Sequence, residues 1–126
     1  MERADVDRWL QAYIEAWRTY DRDSILALFA EEVEYRYHPY DEPFRGADSV
    51  ADSWVRDDWI DEPGTYDAAY RTIAVDEDVA VATGSSTYTN PDGSVRTVYE
   101  NCFVMRFDPA GRCREFTEWF MERPKP

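Results

Sequence analysis

Four side chains in this sequence are of the types that transfer protons or hydrogen-bond a reacting oxygen: Tyr13, His38, Asn101 and Glu118. Asn101 and Glu118 lie on two alternating runs that flank the turn at 108–111 (Asp-Pro-Ala-Gly), and this is the pattern of a β-hairpin. If Phe107 faces Arg112, the amide and the carboxylate lie directly opposite each other on the face richer in aromatic residues. Burying these groups among phenylalanine rings is unfavourable unless they pair, so we expect the functional site here.

Three roles are open to Glu118. It could orient and stabilise a charged histidine, act as a base whose pKa is raised by burial, or serve only as a structural acceptor for Asn101, Tyr13 or an arginine. Asn101 in turn could donate to a substrate carbonyl or only satisfy Glu118. The pattern of residue types leaves each of these roles open.

His38 is the single histidine of the chain. Histidine changes its charge near neutral pH, which makes this residue a candidate general acid or base at a cavity mouth. Alternation along its strand places it beside Glu34 and Arg36, on the face opposite Tyr35 and Tyr37. It therefore points to solvent unless a bulge re-aims the end of the strand.

Three helices are predicted in the first half of the chain. The first has apolar residues at helical spacing, namely Val6, Trp9, Leu10, Tyr13, Ile14 and Trp17. Tyr13 and Trp17 are four residues apart and point into the same interior region. A second, shorter helix is expected over 24–30 with Asp23 as its cap, and a third over 47–54.

Alternation and turn residues predict the strands, which span 33–38, 66–75, 79–89, 95–107 and 112–121. Loops are expected at 39–46, which contains Pro and Gly, and at 57–64, where the loop could cover a cavity mouth. We therefore expect one α+β domain over residues 1–126. Its fold is a cone-shaped roll, in which three N-terminal helices pack on a strongly curved, mainly antiparallel sheet that encloses a pocket.

Small residues are expected beside the polar pair. The turn between the two central strands predicts that Gly84 lies opposite Tyr99 and that Ala82 lies opposite Asn101, which would leave room on the pocket side. Six aromatic residues are predicted to bind substrate as pocket wall, namely Trp17, Trp54, Tyr99, Phe103, Phe116 and Phe120.

Composition excludes several classes of function. The 126 residues are 44% hydrophobic and 16% aromatic, which indicates a folded core. The formal net charge of -13 argues against nucleic acid and anionic membrane surfaces as partners. No apolar run approaches the ~20 residues of a membrane span, and no signal peptide is recognisable, so we expect a cytoplasmic protein.

The two cysteines, Cys102 and Cys113, are predicted to share the outer face of the hairpin, too far apart to bond. Free thiols are typical of a reducing cytosol. One histidine and dispersed carboxylates make no recognisable metal-ligand set, and no glycine-rich nucleotide loop is present. We therefore expect neither a metal nor a cofactor.

Five segments together resemble a known group of proteins: 13–15 (Tyr-Ile-Glu), 28–32 (Leu-Phe-Ala-Glu-Glu), the loop 39–46, 104–108 (Val-Met-Arg-Phe-Asp) and 111–112 (Gly-Arg). With these aligned, nearly the whole chain resembles the nuclear transport factor 2-like superfamily, in its SnoaL-like and ketosteroid isomerase-like branch. Such motifs specify the fold better than the reaction, because this scaffold hosts isomerases, cyclases, dehydratases, hydrolases and non-enzymes.

The resemblance implies roles for particular positions. Tyr13 matches the tyrosine with which ketosteroid isomerases donate a hydrogen bond to the developing enolate. Their general-base aspartate precedes a proline, and the matching position here is His38, before Pro39, or else Tyr37. Their second oxyanion donor falls on Phe103. Two of the three catalytic positions are therefore changed, and the chain is not expected to be a standard ketosteroid isomerase.

The residues and the resemblance together favour a cofactor-free enzyme of the isomerase or lyase type. It would isomerise, cyclise or dehydrate an apolar, oxygenated molecule such as a polyketide, terpenoid or steroid-like compound. His38 or Glu118 would move the proton, while Tyr13 and Asn101 would hydrogen-bond the developing oxyanion.

Two other classes of function are open. The first is a non-catalytic binding protein that uses the same pocket. The second is an association module, because proteins of this superfamily often pair through the outer face of the sheet. That face would carry an apolar patch formed by Val98, Cys102, Val104, Trp119 and Met121. We expect a homodimer in either case.

Overall fold

The computed structural model describes residues 1–56 and 58–125. Its helices are α1 (Arg3–Thr19), α2 (Arg22–Leu26) and α3 (Ala47–Trp54). Its strands are β1 (Phe29–Arg36), β2 (Phe44–Arg45), β3 (Tyr66–Asp76), β4 (Val79–Thr89), β5 (Val95–Phe107) and β6 (Cys113–Glu122). Among the described helices, none has the length and apolar character needed to cross a bilayer.

The six strands form one sheet in the order β2-β1-β6-β5-β4-β3. All neighbours are antiparallel except β1 and β6, which run parallel. The three helices pack against this curved sheet, and the predicted α+β cone is therefore confirmed. The strand that carries Glu118, β6, lies between β1 and β5.

Helix α1 forms because its apolar residues recur on one face, as predicted. Val6, Leu10 and Ile14 are each at most 4% exposed. The helix begins at Arg3, where the Asp5 carboxylate accepts the backbone N–H of Glu2 at 2.9 Å and completes the N-terminal cap. The Trp9 indole Nε1 donates to the Leu28 carbonyl at 2.9 Å, which ties the helix to the chain that enters β1.

Stacked aromatic rings form the centre of the core. The rings of Tyr35 and Phe116 are parallel to within 4° at 4.5 Å, and Tyr13 stacks on the same Phe116 at 5.8 Å. Phe103 packs on Phe116 at 4.9 Å. Burying a large side chain contributes about 1.5–3 kcal/mol, so these rings are a main source of stability.

The predicted register of the last hairpin is wrong by two residues. Asn101 pairs with Phe120, and Glu118 pairs with Phe103, so the amide and the carboxylate are diagonal neighbours. The shift arises in the loop, where the Asp108 carboxylate accepts the N–H of Arg112 and lengthens the turn, and a bulge follows. A shift of two residues preserves which face each side chain occupies.

One cysteine changes face because of that bulge. Cys113 pairs with Phe107 and is fully buried, whereas it was predicted to lie on the outer face with Cys102. Neither thiol is in a disulfide.

The register between β4 and β5 also differs by two residues from the prediction. Gly84 pairs with Asn101, and Ala82 pairs with Phe103. The turn accounts for one residue, because Thr89 pairs with Val95 instead of Ser94, and a bulge next to Thr89 accounts for the other. Small residues do lie beside the polar pair, as expected, but Gly84 rather than Ala82 is the neighbour of Asn101.

Three smaller differences concern the first half of the chain. Helix α2 is capped by Asp21, which accepts from the Ser24 N–H at 3.0 Å, and it ends at Leu26 because Phe29 already begins β1. Strand β1 therefore runs earlier than predicted and ends before His38. The short strand β2 lies inside a segment predicted to be a loop.

The predicted loop at 57–64 has no helix or strand in its described part, and neither do residues 123–125. Asp57 and Pro126 lie outside the described residues.

Gly84 makes room for the ring of Tyr70 on the neighbouring strand. A Cβ atom at this glycine would lie 2.0 Å from the Ala69 carbonyl oxygen and 2.7 Å from the Tyr70 ring. We expect Gly84→Ala to lower the free energy of unfolding by about 1–3 kcal/mol, because the two strands must separate. Urea unfolding measures this loss, with Ser85→Ala on the same strand as the control. Equal stability of the two variants would contradict the close packing described.

Candidate functional site

A cavity of about 790 Å³ lies between the sheet, helices α1 and α3, and the loop before β3. Its volume is in the range of small-molecule sites. Twelve aromatic side chains line it, namely Tyr13, Trp17, Tyr20, Tyr35, Tyr37, Phe44, Trp54, Trp59, Tyr70, Tyr88, Tyr99 and Phe120. The polar and charged lining residues are His38, Asp41, Glu42, Ser53, Asp61, Ser86, Asn101 and Glu118.

Three adjacent strands contribute a connected polar group to the sheet side of the cavity. The Asn101 amide Nδ2 on β5 donates to Glu118 Oε2 on β6 at 2.7 Å. Ser86 Oγ on β4 donates to Asn101 Oδ1 at 3.1 Å. Asn101 is therefore held at both ends of its amide and fixes the position of the carboxylate. Among the described residues, none donates to the second carboxylate oxygen, Oε1.

Glu118 keeps some accessible surface, and it faces the cavity. Burial nonetheless raises its pKa from 4.5 to about 7, because water solvates the charged form poorly there. The hydrogen bond from Asn101 and the nearby positive charge of protonated His38 act in the opposite direction and only partly offset burial. No Lys or Arg is present among the described residues that line the cavity. The carboxylate is thus able to gain and lose a proton near neutral pH.

Tyrosine hydroxyls surround this carboxylate. The hydroxyls of Tyr13 and Tyr35 are 3.5 Å apart, and Tyr37 shares a hydrogen bond with Ser53 at 2.9 Å. Burial raises the pKa of Tyr13 and Tyr35 well above the usual range and that of Tyr37 to about 12; the charge of Glu118 adds to this. These phenols therefore remain protonated and are available as hydrogen-bond donors.

His38 lines the cavity because the chain bends after β1 ends at Arg36. Both Tyr37 and His38 consequently reach the cavity, although alternation in a strand would have separated them. The ring lies between Tyr40 and Phe120, with centroid distances of 5.2 Å and 5.1 Å. Its Nδ1 is 2.8 Å from Asp41 Oδ2, and an ionised Asp41 accepts the Nδ1 proton, so Nε2 is the free nitrogen.

A second carboxylate, Asp61, lines the cavity and was not singled out from the sequence. Its Oδ2 accepts from Trp17 Nε1 at 3.2 Å and from the Tyr20 hydroxyl at 3.3 Å. Burial raises its pKa, while the two hydrogen bonds act against that rise. Asp61 lies in a polar loop that has no helical or strand periodicity. The only signal in the sequence is Trp17, whose position on α1 places an N–H donor at the cavity.

The loop before β3 closes one side of the cavity with an aromatic residue. The Trp59 ring packs edge-on against Tyr37 at 5.4 Å and against Phe44 at 6.3 Å. The Arg56 guanidinium lies 4.2 Å above the same indole. The expectation that this loop covers the cavity mouth agrees with these contacts.

The cavity brings most of the predicted site residues together. Tyr13, His38, Asn101 and Glu118 all line it, as do Trp17, Trp54, Tyr99 and Phe120. The prediction that Phe103 and Phe116 form its wall is wrong, because they are at most 1% exposed and lie in the core behind the cavity. Tyr70, Ser86 and Tyr88 line it and were missed, since the β3 and β4 faces were not assigned from the sequence.

This chain belongs to a known protein family. The SnoaL-like domain family matches residues 10–116, so the chain is a member of that family, within the nuclear transport factor 2-like superfamily. The resemblance inferred from the sequence is confirmed. None of the curated proteins compared with the chain matches it significantly.

Solved structures with the same fold include three that cover almost all of this chain. An LEH-like epoxide hydrolase from M. tuberculosis is 18% identical with a TM-score of 0.68, covering 96% of this chain and 86% of that one. A protein of unknown function with a cystatin-like fold from Methylobium petroleophilum PM1 is 21% identical (TM-score 0.67; 100% and 81% covered). An NTF2-like protein of unknown function from Cytophaga hutchinsonii ATCC 33406 is 15% identical (TM-score 0.64; 91% and 98% covered).

The raised pKa of Glu118 makes stability depend on pH in a defined direction. Below about pH 4.5 the carboxyl is protonated in both the folded and unfolded chains. As the pH rises toward 7, only the unfolded chain releases the proton, so the free energy of unfolding falls. Glu118→Gln lacks this effect, and we expect its stability relative to wild type to rise by about 2–3 kcal/mol between about pH 5 and pH 8.

Urea unfolding at the two pH values measures this difference. Glu31→Gln, an exposed change of the same type, serves as the control and should follow wild type. A Glu118→Gln variant whose stability runs parallel to wild type across the pH range would contradict the raised pKa.

Proposed function

We propose that the cavity is the active site of a cofactor-independent enzyme that transfers a proton on an apolar, oxygenated small molecule. The observation that carries the proposal is the Glu118 carboxylate, buried among tyrosine rings, held by Asn101, and open to the cavity at Oε1. A general base is most effective when its pKa lies near the working pH, and the pKa of Glu118 is about 7.

The proton-transfer step uses the groups that surround Glu118. Its carboxylate takes a proton from a carbon next to a substrate carbonyl, and the electron pair of that C–H bond moves onto the carbonyl oxygen. A protonated phenol, Tyr13 or Tyr35, donates a hydrogen bond to this developing oxyanion. Where a carbon–carbon double bond lies next to the deprotonated carbon, the electron pair moves back from the oxygen through that double bond, and Glu118 returns the proton to its far carbon, which completes an isomerisation.

Dehydration and cyclisation need a second group that handles a proton. His38, oriented by Asp41, is suited to protonate a leaving hydroxyl, which departs as water as its C–O bond breaks. Asn101 has a supporting role in this scheme, because its amide already bonds Glu118 and Ser86. The phenols replace it as the oxyanion donors.

The lining supports the class of substrate. Twelve aromatic side chains and a volume of about 790 Å³ suit a polyketide, terpenoid or steroid-like compound rather than a small polar metabolite. A structural relative described as an LEH-like epoxide hydrolase provides a precedent for small-molecule chemistry on this fold. At 18% identity that relative supports the scaffold and not the reaction.

Hydrogen–deuterium exchange on a model ketone tests the proton transfer without knowledge of the substrate. We expect the protein to accelerate incorporation of deuterium from D₂O next to the carbonyl of 2-tetralone, and Glu118→Gln to reduce that rate about 100-fold. The wild-type rate should rise with pH through about 7, because the charged carboxylate is the active form. Mass spectrometry or proton NMR follows the exchange.

Two controls make that experiment decisive. Glu31→Gln should exchange the ketone at the wild-type rate, and the ketone should bind Glu118→Gln with unchanged affinity. Binding without any exchange above the solvent rate would favour the non-catalytic binding protein. Exchange that survives Glu118→Gln would remove Glu118 from the proposed role.

An association module is the second candidate, and exposed apolar residues on the outer face of the sheet favour it. Trp119 is 44% exposed and Met121 is 76% exposed, and half-buried Val98, Cys102 and Val104 lie on the same face. We propose that two copies pair through this face, which is compatible with a functional cavity on the other side of the sheet.

Replacing the central indole tests the pairing. Trp119→Lys should convert a dimer into a monomer at micromolar concentration, because a charge would be buried at the centre of the interface. Ile60→Lys, on the exposed part of the loop before β3, should leave the dimer intact. Light scattering reports the mass, and a wild-type monomer would contradict the proposal.

A further inference from the structure

Asp61 is a half-buried carboxylate whose hydrogen-bond partners are neutral. Both of its hydrogen-bond donors, the Trp17 indole and the Tyr20 hydroxyl, bind the same oxygen, Oδ2. Among the described residues none donates to Oδ1, and none forms an ion pair with Asp61. A partly buried carboxylate with a raised pKa and a vacant oxygen is stabilised most by a cation that brings its own N–H donors.

Aromatic rings border this carboxylate on the cavity side. Trp17 stacks on Tyr66 at 4.5 Å and lies 6.2 Å from Tyr88 at an angle of 58°. Trp17, Tyr20 and Tyr88 line the cavity together with Asp61. Ring faces attract a cation that approaches within about 6 Å of their centroids, most strongly when water is excluded.

Glu118 and Asp61 serve separate parts of the cavity. Besides burial, the pKa of Glu118 responds to Asn101 and His38, that of Asp61 responds to Trp17, Tyr20 and Arg96, and neither carboxylate shifts the pKa of the other. Tyr88 lines the same cavity as both carboxylates, and their charges add to the rise in its pKa that burial causes. One extended ligand in this cavity could therefore contact both.

The cavity as a whole carries a negative field. Its described lining contains four carboxylates, Asp41, Glu42, Asp61 and Glu118, and His38 is the single basic side chain on it. An anionic ligand would be repelled at either end, whereas a cationic one would be attracted.

We propose that the substrate carries a protonated amine, which donates a hydrogen bond to Asp61 Oδ1 and lies against the rings of Trp17 and Tyr88. This assignment rests on the proposed function, in which Glu118 acts on a carbonyl elsewhere in the same molecule. It narrows the substrate class from apolar oxygenated compounds to amino-ketones and related amines with a large apolar body.

Arg96 is the protein cation whose charge acts on Asp61. Its guanidinium lies over Tyr88 at 5.4 Å from the ring centroid, and its charge lowers the pKa of Asp61 slightly. It does not line the cavity and makes no ion pair with Asp61. Arg96 thus neutralises the charge of Asp61 only in part, and the cavity side of the carboxylate is left for the ligand.

A matched set of ligands tests the charge preference directly. The probes are 1-naphthylmethylamine, 1-naphthylmethanol and 1-naphthoate, titrated into the full chain near neutral pH by calorimetry. We expect the amine to bind about tenfold more tightly than the alcohol and the carboxylate to bind most weakly. In Asp61→Asn the amine and the alcohol should bind equally, because asparagine keeps the acceptor for Trp17 and Tyr20 but loses the charge.

Glu62→Gln is the matched control, since it removes an exposed charge from the same loop and should keep the tenfold preference. Equal affinity of wild type for amine and alcohol, failure of the amine to bind, or a preference that survives Asp61→Asn would each overturn the proposal.

The outcome is separable from that of the proposed function. Probe binding reports on Asp61, whereas deuterium exchange reports on Glu118. Selective amine binding with no ketone exchange would refute the enzyme and retain the amine subsite. Ketone exchange that depends on Glu118, without a preference for the amine probe, would support the enzyme and refute the amine subsite.

Discussion

The burial of the Glu118 carboxylate in a ring-lined cavity governs the chemistry of this molecule. Among the described residues, the Asn101 amide is its only hydrogen-bond donor. A charge in such a place is costly, and the cost appears as a pKa near 7. The same burial raises the pKa of the surrounding phenols, the charge of Glu118 adds to that rise, and the phenols remain donors. One ring-lined cavity therefore sets both the base and the hydrogen-bond donors of the site.

The sheet fixes that carboxylate more firmly than a loop could. Glu118, Asn101 and Ser86 come from three neighbouring strands, so the ladder hydrogen bonds between strands hold their relative positions. Phe116, two residues before Glu118, packs against the rings of Tyr35 and Tyr13 and anchors β6 to the core. Groups on loops complete the site at the mouth, and these loops are the parts that differ most easily between relatives of one fold.

The helices and strands could be predicted from the sequence more accurately than the register between neighbouring strands. The bounds of α3, β4 and β5 agree with the prediction, because long periodic runs bounded by turn residues are unambiguous. The association of Asn101 with Glu118 was also predicted, but from a register that is two residues off. Bulges cause such errors, since a carboxylate such as Asp108 can lengthen a turn without changing the alternation around it.

The positions of His38 and Asp61 at the cavity could not be predicted from the sequence. Both residues lie outside helices and strands, where the periodicity of the sequence does not indicate which way a side chain points. Membership of the SnoaL-like family likewise defines the fold and not the reaction.

The ionisation of Glu118 is tested most directly by carbon NMR of the glutamate side-chain carboxyls, with Glu118→Gln used to assign the signal. The account predicts a Glu118 titration midpoint near 7, and a midpoint near the 4.5 of an ordinary glutamate would contradict it.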